Sequence, residues 1–166
     1  NLIDTNGKIV SKEKCGCDQE HIECVVLNKS SIPDRTKALL SGGENPLPKL
    51  NEGIEELIKL GCEYFIMPCN TAHAFKNSFN NLDKIKFIDM VELAKDYIKG
   101  YYERTHETVT IFCTNGTRDA NVYDSPYIKY PNLKTQEKVM DIITSIKAGN
   151  NEFERLKKLI INGNNP

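Results

Sequence analysis

Apolar positions along the chain keep two rhythms, short continuous runs and helical stripes, and the two alternate. Glu23-Cys24-Val25-Val26-Leu27-Asn28 is a run of the first kind and predicts a buried strand. Pro33-Asp34-Arg35-Thr36 opens a short helix through Leu40, with proline where a helix start tolerates it. Ser41 to Pro46 is rich in loop residues. Leu50, Ile54, Leu57, Ile58 and Leu60 then form a helical stripe, which Gly61 closes. Tyr64 to Met67 predicts a strand, Ala72 to Phe79 a short helix, Lys86 to Met90 a strand, and Val91 to Tyr101 a helix with one broad apolar face.

The pattern then begins again. Thr108 to Cys113 predicts a strand of mostly β-branched residues, and Thr114-Asn115-Gly116-Thr117 a tight turn into a helix reaching Tyr123. Tyr127 to Tyr130 is a weaker extended stretch. Lys134 to Lys147 predicts a long helix and Asn151 to Ile161 a second amphipathic one. Strands alternating with helices imply an α/β fold, parallel sheets flanked by helices. The charged, aromatic link Gly100 to His106 is the expected boundary between a first lobe, 1–101, and a second, 102–166.

Composition narrows the class. A chain of 166 residues can bury a real core in one large or two small lobes. Its net charge of −1 offers no argument for nucleic acid or an acidic membrane surface. No apolar run approaches a membrane span and no signal-peptide pattern opens the chain. Cys24, Cys62 and Cys113 fall in or beside predicted strands, where reduced cysteine acts as a small core residue, so a reduced, cytoplasmic setting is expected. The chain opens at Asn1 and ends in a turn-forming Asn-Gly-Asn-Asn-Pro tail, and both ends read as trimmed.

The richest stretch is Tyr64-Phe65-Ile66-Met67-Pro68-Cys69-Asn70-Thr71-Ala72-His73. An apolar strand stops at a proline, and a cysteine, an amide and a hydroxyl lead into a helix. Open α/β sheets hold ligands at such junctions. A thiol there carries negative charge at modest cost, because free N–H groups of the helix start favour it. Cys69 is therefore a candidate reactive cysteine with hydrogen-bond donors beside it.

Asp18-Gln19-Glu20-His21, Ser31-Ile32-Pro33-Asp34-Arg35-Thr36, Met67-Pro68-Cys69-Asn70-Thr71-Ala72-His73 and Thr114-Asn115-Gly116-Thr117 occur in that order. With the helix ending Ile146-Lys147-Ala148-Gly149, they make the chain resemble the aspartate/glutamate racemase family, its aspartate racemase branch most closely, from about Asp18 to Gly149. The resemblance implies two pseudo-symmetric Rossmann-like lobes and a racemase that uses no cofactor and no metal. Two opposed cysteines would work on the two faces of an aspartate or glutamate substrate. It implies Cys69 as one of them, and Arg35, Asn70, Thr71, Ala72, Thr117 and Lys147 as substrate-binding residues. Within that set Asn70, Thr71 and Thr117 would take the α-carboxylate, Arg35 and Lys147 the distal one. It also implies a homodimer. The family's opening strand with its glycine-rich loop and its final strand with a Gly-Cys-Thr-Glu-type motif are not among the 166 residues, so the second cysteine is expected outside them.

Plainer readings stand beside each of these. Arg35 can be a helix-surface charge, and Lys147 can simply complement a helix dipole. His73 reads by default as a structural residue at a helix start, and Cys113 as a wall or core residue. Cys15, Cys17, His21 and Cys24 form the one metal-like cluster, but their spacing fits no paired-cysteine zinc pattern. Phosphate-binding glycine motifs are absent from the sequence, which disfavours nucleotides. Two other functions remain open at this level: a non-catalytic amino-acid-binding or assembly module, and a related dicarboxylate decarboxylase or isomerase.

Overall fold

The computed structural model describes residues 2–3, 9–10 and 22–163. Two short strands, β1 (Leu2–Ile3) and β2 (Ile9–Val10), pair antiparallel. Helix α1 (Arg35–Leu40) starts where Asp34 accepts a 2.8 Å hydrogen bond from the Lys37 amide, an N-cap that satisfies one of the first turn's orphan donors. Helix α2 (Leu47–Lys59) has proline in its first turn and stops before Gly61, whose φ of 80° suits a residue without a side chain. Strand β3 (Tyr64–Ile66) pairs in parallel with β4 (Lys86–Ile88), joined through a nine-residue 3-10 helix, Asn70–Ser78. Helix α3 (Met90–Thr105) is capped by Asp89, which accepts from the amides of Val91 and Glu92. Then β5 (Val109–Thr110), α4 (Asn115–Asp119) and β6 (Ile128–Lys129) follow, with β5 and β6 again parallel. Helices α5 (Leu133–Lys147) and α6 (Phe153–Gly163) complete the described chain.

The result is an α/β architecture of parallel strand pairs flanked by helices, as the alternation of rhythms predicts. Its two parallel pairs belong to separate sheets. One apolar cluster gathers Leu50 and Ile54 of α2, Phe65 of β3, Ala72, Phe79 and Ile85. Phe87 of β4 stacks on Phe65 with ring centres 4.8 Å apart. A second cluster joins Val91 and Ile98 of α3 to Tyr123 and Ile128. Each large side chain so buried stabilises the fold by about 1.5–3 kcal/mol before entropy is counted.

One local expectation is corrected and another is made more specific. Glu23 to Asn28 is not a strand but irregular chain, with Val25 and Val26 exposed. A strand needs a hydrogen-bonding neighbour, and none of the described strands pairs with this segment. The short helix expected after Cys69 is present, and it is 3-10 from its first turn. The Cys69 carbonyl accepts the Ala72 amide three residues on, and the His73 imidazole, through Nδ1, occupies the same oxygen at 2.9 Å. The bond an α-helix would draw from the His73 amide is thereby displaced. Asp18-Gln19-Glu20-His21 and the cluster members Cys15, Cys17 and His21 lie outside the described residues.

Candidate active site

Both parallel strand pairs lead to a turn at the carboxyl end of their first strand, and the two turns meet. After β3, Pro68 ends the strand and Cys69 takes the N-cap position of the 3-10 helix in extended conformation, its side chain making no capping bond. The first bond of that helix runs from the Ala72 amide to the Cys69 carbonyl, so the amides of Asn70 and Thr71 stand outside the intrahelical ladder. After β5, Thr114 caps α4 by accepting the Thr117 amide at 3.2 Å. The junction is a triangle of hydroxyls: Thr71 to Thr114 at 2.9 Å, Thr71 to Thr117 at 2.9 Å, and Thr114 to Thr117 at 3.0 Å. Three hydroxyl protons suffice for three contacts when each group donates once and accepts once. An entering carboxylate would compete for those protons.

Close approach of α1, α4 and the 3-10 helix makes the triangle possible. Gly116 lies between them, and a Cβ there would sit 2.8 Å from Thr36 Oγ1 and 3.0 Å from both Thr36 Cα and Thr71 Cγ2. No larger residue fits without moving a neighbour.

A cavity of about 400 Å³ opens beside this junction. Its walls are Asp34, Arg35, Thr36, Pro68, Cys69, Asn70, Thr71, Phe112, Cys113, Thr114, Thr117, Ile143 and Lys147. Six of the seven site residues expected from the sequence are thus brought together: Cys69, Arg35, Asn70, Thr71, Thr117 and Lys147. Ala72 is not among them. It is buried in the first apolar cluster and its amide is already committed to Cys69. The sequence reading missed Asp34, Thr36, Thr114, Phe112 and Ile143 as walls. Asp34, Thr36 and Thr114 stand inside motifs already singled out, so their signal was present; Phe112 and Ile143 arrive only through packing.

The charges favour an acidic guest. Arg35 anchors its Nη1 on the carbonyls of Ile32 (3.3 Å) and Pro33 (3.0 Å), which leaves the rest of its fork for a ligand. Lys147, exposed at the end of α5, makes no ion pair among the described residues. Asp34 opposes them. The Lys37 amide holds its carboxyl below the ordinary range, with Lys147 and Arg35 pulling the same way against burial. Two cations against one carboxylate leave a positive balance at the cavity wall.

The two cysteines on the wall differ. Cys69 is half-buried, whereas Cys113 is only 4% exposed. Burial pushes the Cys113 thiol up to about 11, so it is a neutral S–H at physiological pH and cannot serve there as a base. Behind Cys69, His73 is buried with its Nε2 3.5 Å from Asp89. Burial acts to raise the Asp89 carboxyl, but Lys76 at 2.7 Å, the Glu92 amide and His73 together hold it low. The cysteine backbone is thereby tied to the cap of α3. No three His, Cys, Asp or Glu side chains converge on a metal-holding arrangement among the described residues. None of the described helices is long and apolar enough to cross a membrane.

Residues 9–159 match the family model described as Asp/Glu/Hydantoin racemase. The structure is similar to that of Picrophilus torridus aspartate racemase, with a TM-score of 0.73 at 28% identity, over 87% of this chain and 61% of that one. The chain therefore spans less than two thirds of the length of that relative.

Proposed function

The chain belongs to the Asp/Glu/hydantoin racemase family, and from that premise we propose that it carries half of the catalytic apparatus of a cofactor-independent racemase interconverting L- and D-aspartate, with glutamate as a second substrate. The observation that supports this most is the placing of Cys69 on one cavity wall with Asn70, Thr71, Thr117, Arg35 and Lys147. A Cα proton is weakly acidic, so its removal needs a base held close and a carboxylate whose growing charge is stabilised. Asn70, Thr71 and Thr117 receive the α-carboxylate. Arg35, with its pinned guanidinium, grips the distal carboxylate, and Lys147 adds charge beside it. Cys69, as thiolate, takes the hydrogen from one face.

Inversion also needs a proton delivered to the other face, and the reading assigns that to a second cysteine outside these residues. Substrate lies between the lobes 1–101 and 102–166 in this account. The protein works as a cytoplasmic homodimer without pyridoxal phosphate.

Hydrogen exchange separates the parts. With L-aspartate in heavy water, Cys69 alone suffices to exchange the Cα hydrogen with retention, while production of the D isomer requires the opposite donor. Exchange no faster with the protein than with its Cys69→Ala variant would defeat the proposal. Arg35→Lys, which keeps the charge and loses the fork, should weaken aspartate binding about tenfold; unchanged affinity removes Arg35 from the site.

A further inference from the structure

The turn after α4 carries a tyrosine into the interior. The Asn121 amide bonds to the Arg118 carbonyl at 2.9 Å and the Val122 amide to the Thr117 carbonyl at 3.1 Å. Asn121 itself has a φ of 49°, in the left-handed region that asparagine tolerates. This reversal drops the Tyr123 ring, 7% exposed, against Val91, Ile98 and Ile128. From there its hydroxyl donates a 2.7 Å hydrogen bond to Asn70 Oδ1, across 53 positions of sequence. Burial raises the Tyr123 hydroxyl above its ordinary range, so it stays a donor at any physiological pH.

A carboxamide has one accepting end and one donating end, and they point away from each other. With Oδ1 engaged by the Tyr123 hydroxyl, the two Nδ2 protons of Asn70 have no protein partner among the described residues, and Asn70 lines the cavity. We propose that Tyr123 is a positioning residue that locks the Asn70 carboxamide with its N–H donors toward the cavity, so that this wall accepts an anionic oxygen and rejects an ammonium group. The lock stands on the geometry alone; that the anionic oxygen is a substrate carboxylate rests on the dicarboxylate reading above. The same residue then settles which way round an amino acid enters, carboxylate toward the 3-10 helix and amine away from it. Neither residue shares a sequence motif with the other, and only the packed turn brings them together.

Two measurements keep lock and substrate apart. In nitrogen–proton spectra of the chain, the Asn70 side-chain amide pair is identified by its loss in Asn70→Ala. Tyr123→Phe, which keeps the ring and its packing, should shift that pair and speed its exchange with solvent. An unmoved pair overturns the lock. In calorimetric titrations with L-aspartate and with succinate, Tyr123→Phe should weaken both by about five- to tenfold, the scale of one hydrogen bond between neutral groups. Asn70→Ala should lose at least as much, and the double variant no more than Asn70→Ala. A further loss in the double variant means the tyrosine acts through packing, and overturns the proposal. If the parent chain binds neither ligand while the amide pair still moves in Tyr123→Phe, the lock is supported and the dicarboxylate reading falls.

Discussion

At the end of β3 a cysteine is itself the cap of the following helix; at the end of β5 a threonine takes the cap and the cysteine falls back one place into the core. That single-residue offset divides the labour. Thr114 spends its oxygen on the Thr117 amide, closing its turn, while Cys113 before it is buried as a neutral thiol. Cys69 makes no capping bond, so its turn goes without that stabilisation and its sulfur is left uncommitted at the cavity wall. Turns built for stability satisfy their donors internally, and those built for chemistry leave donors and a nucleophile unspent.

The largest effects should separate the two sulfurs. Cys69→Ala should abolish Cα exchange of aspartate while leaving the folded chain within about 1 kcal/mol of the parent, because a half-buried side chain without a capping role contributes little to stability. Cys113→Ala should show the opposite balance, with exchange retained and about 1–2 kcal/mol lost by denaturant titration, since it vacates a buried site. Exchange surviving in the first variant and vanishing in the second would invert the comparison.

Alkylation sharpens it through pH. A thiol whose folded value is raised to about 11 is only about one part in ten thousand thiolate at pH 7, and that fraction grows roughly tenfold per pH unit until the value is reached. Iodoacetamide labelling resolved by peptide mass should find Cys113 almost inert at pH 7 and gaining steadily toward pH 10. Aspartate should slow labelling of Cys69 and not that of the exposed Cys24. Rapid modification of Cys113 at neutral pH would mean that burial does not hold it neutral.

Gly116 tests whether the turns must touch. Gly116→Ala places a methyl against Thr36 and Thr71, so α4 has to retreat or the hydroxyl triangle has to open. Overpacking of this kind costs about 1–3 kcal/mol. Aspartate binding should weaken along with stability, because the same hydroxyls belong to both. A variant that loses stability and keeps full affinity would show the triangle to be a structural seam and nothing more.

How much of this could be read from the sequence follows the range of the forces involved. The strand stopping at Pro68 and the polar turn after it are local, and the apolar rhythm announces them. Thr114 before Gly116 and Thr117 announces a capped turn in the same way. The 3-10 form of the next helix has no signal in the apolar rhythm, which does not register the His73 ring bonding to the Cys69 carbonyl. Glu23 to Asn28 has the composition of a strand and no pairing partner among the described strands, which composition cannot register. Lys147 carried no local signal beyond its place at a helix end, and only the ordered motifs of the resemblance brought it into the site. The same motif points to Ala72, but its methyl side chain leaves only the amide to bind, and the helix consumes it. Tyr123 was invisible, since its partner is 53 residues away.

The smallest expected effect isolates the cap itself. Thr114→Ala removes the acceptor for the Thr117 amide and one corner of the triangle, for a loss of about 1 kcal/mol typical of an N-cap. Thr71 and Thr117 remain 2.9 Å apart and still form a pair, so the cavity keeps two of its three hydroxyls. With one partner gone, the remaining pair has a proton to spare that the closed triangle would use internally. Aspartate affinity should therefore hold or rise slightly even as the midpoint of urea unfolding falls. Calorimetry and unfolding on the same preparation decide it: affinity falling in step with stability would mean that Thr114 serves the ligand directly, and the division between a turn for stability and a turn for chemistry would have to be redrawn.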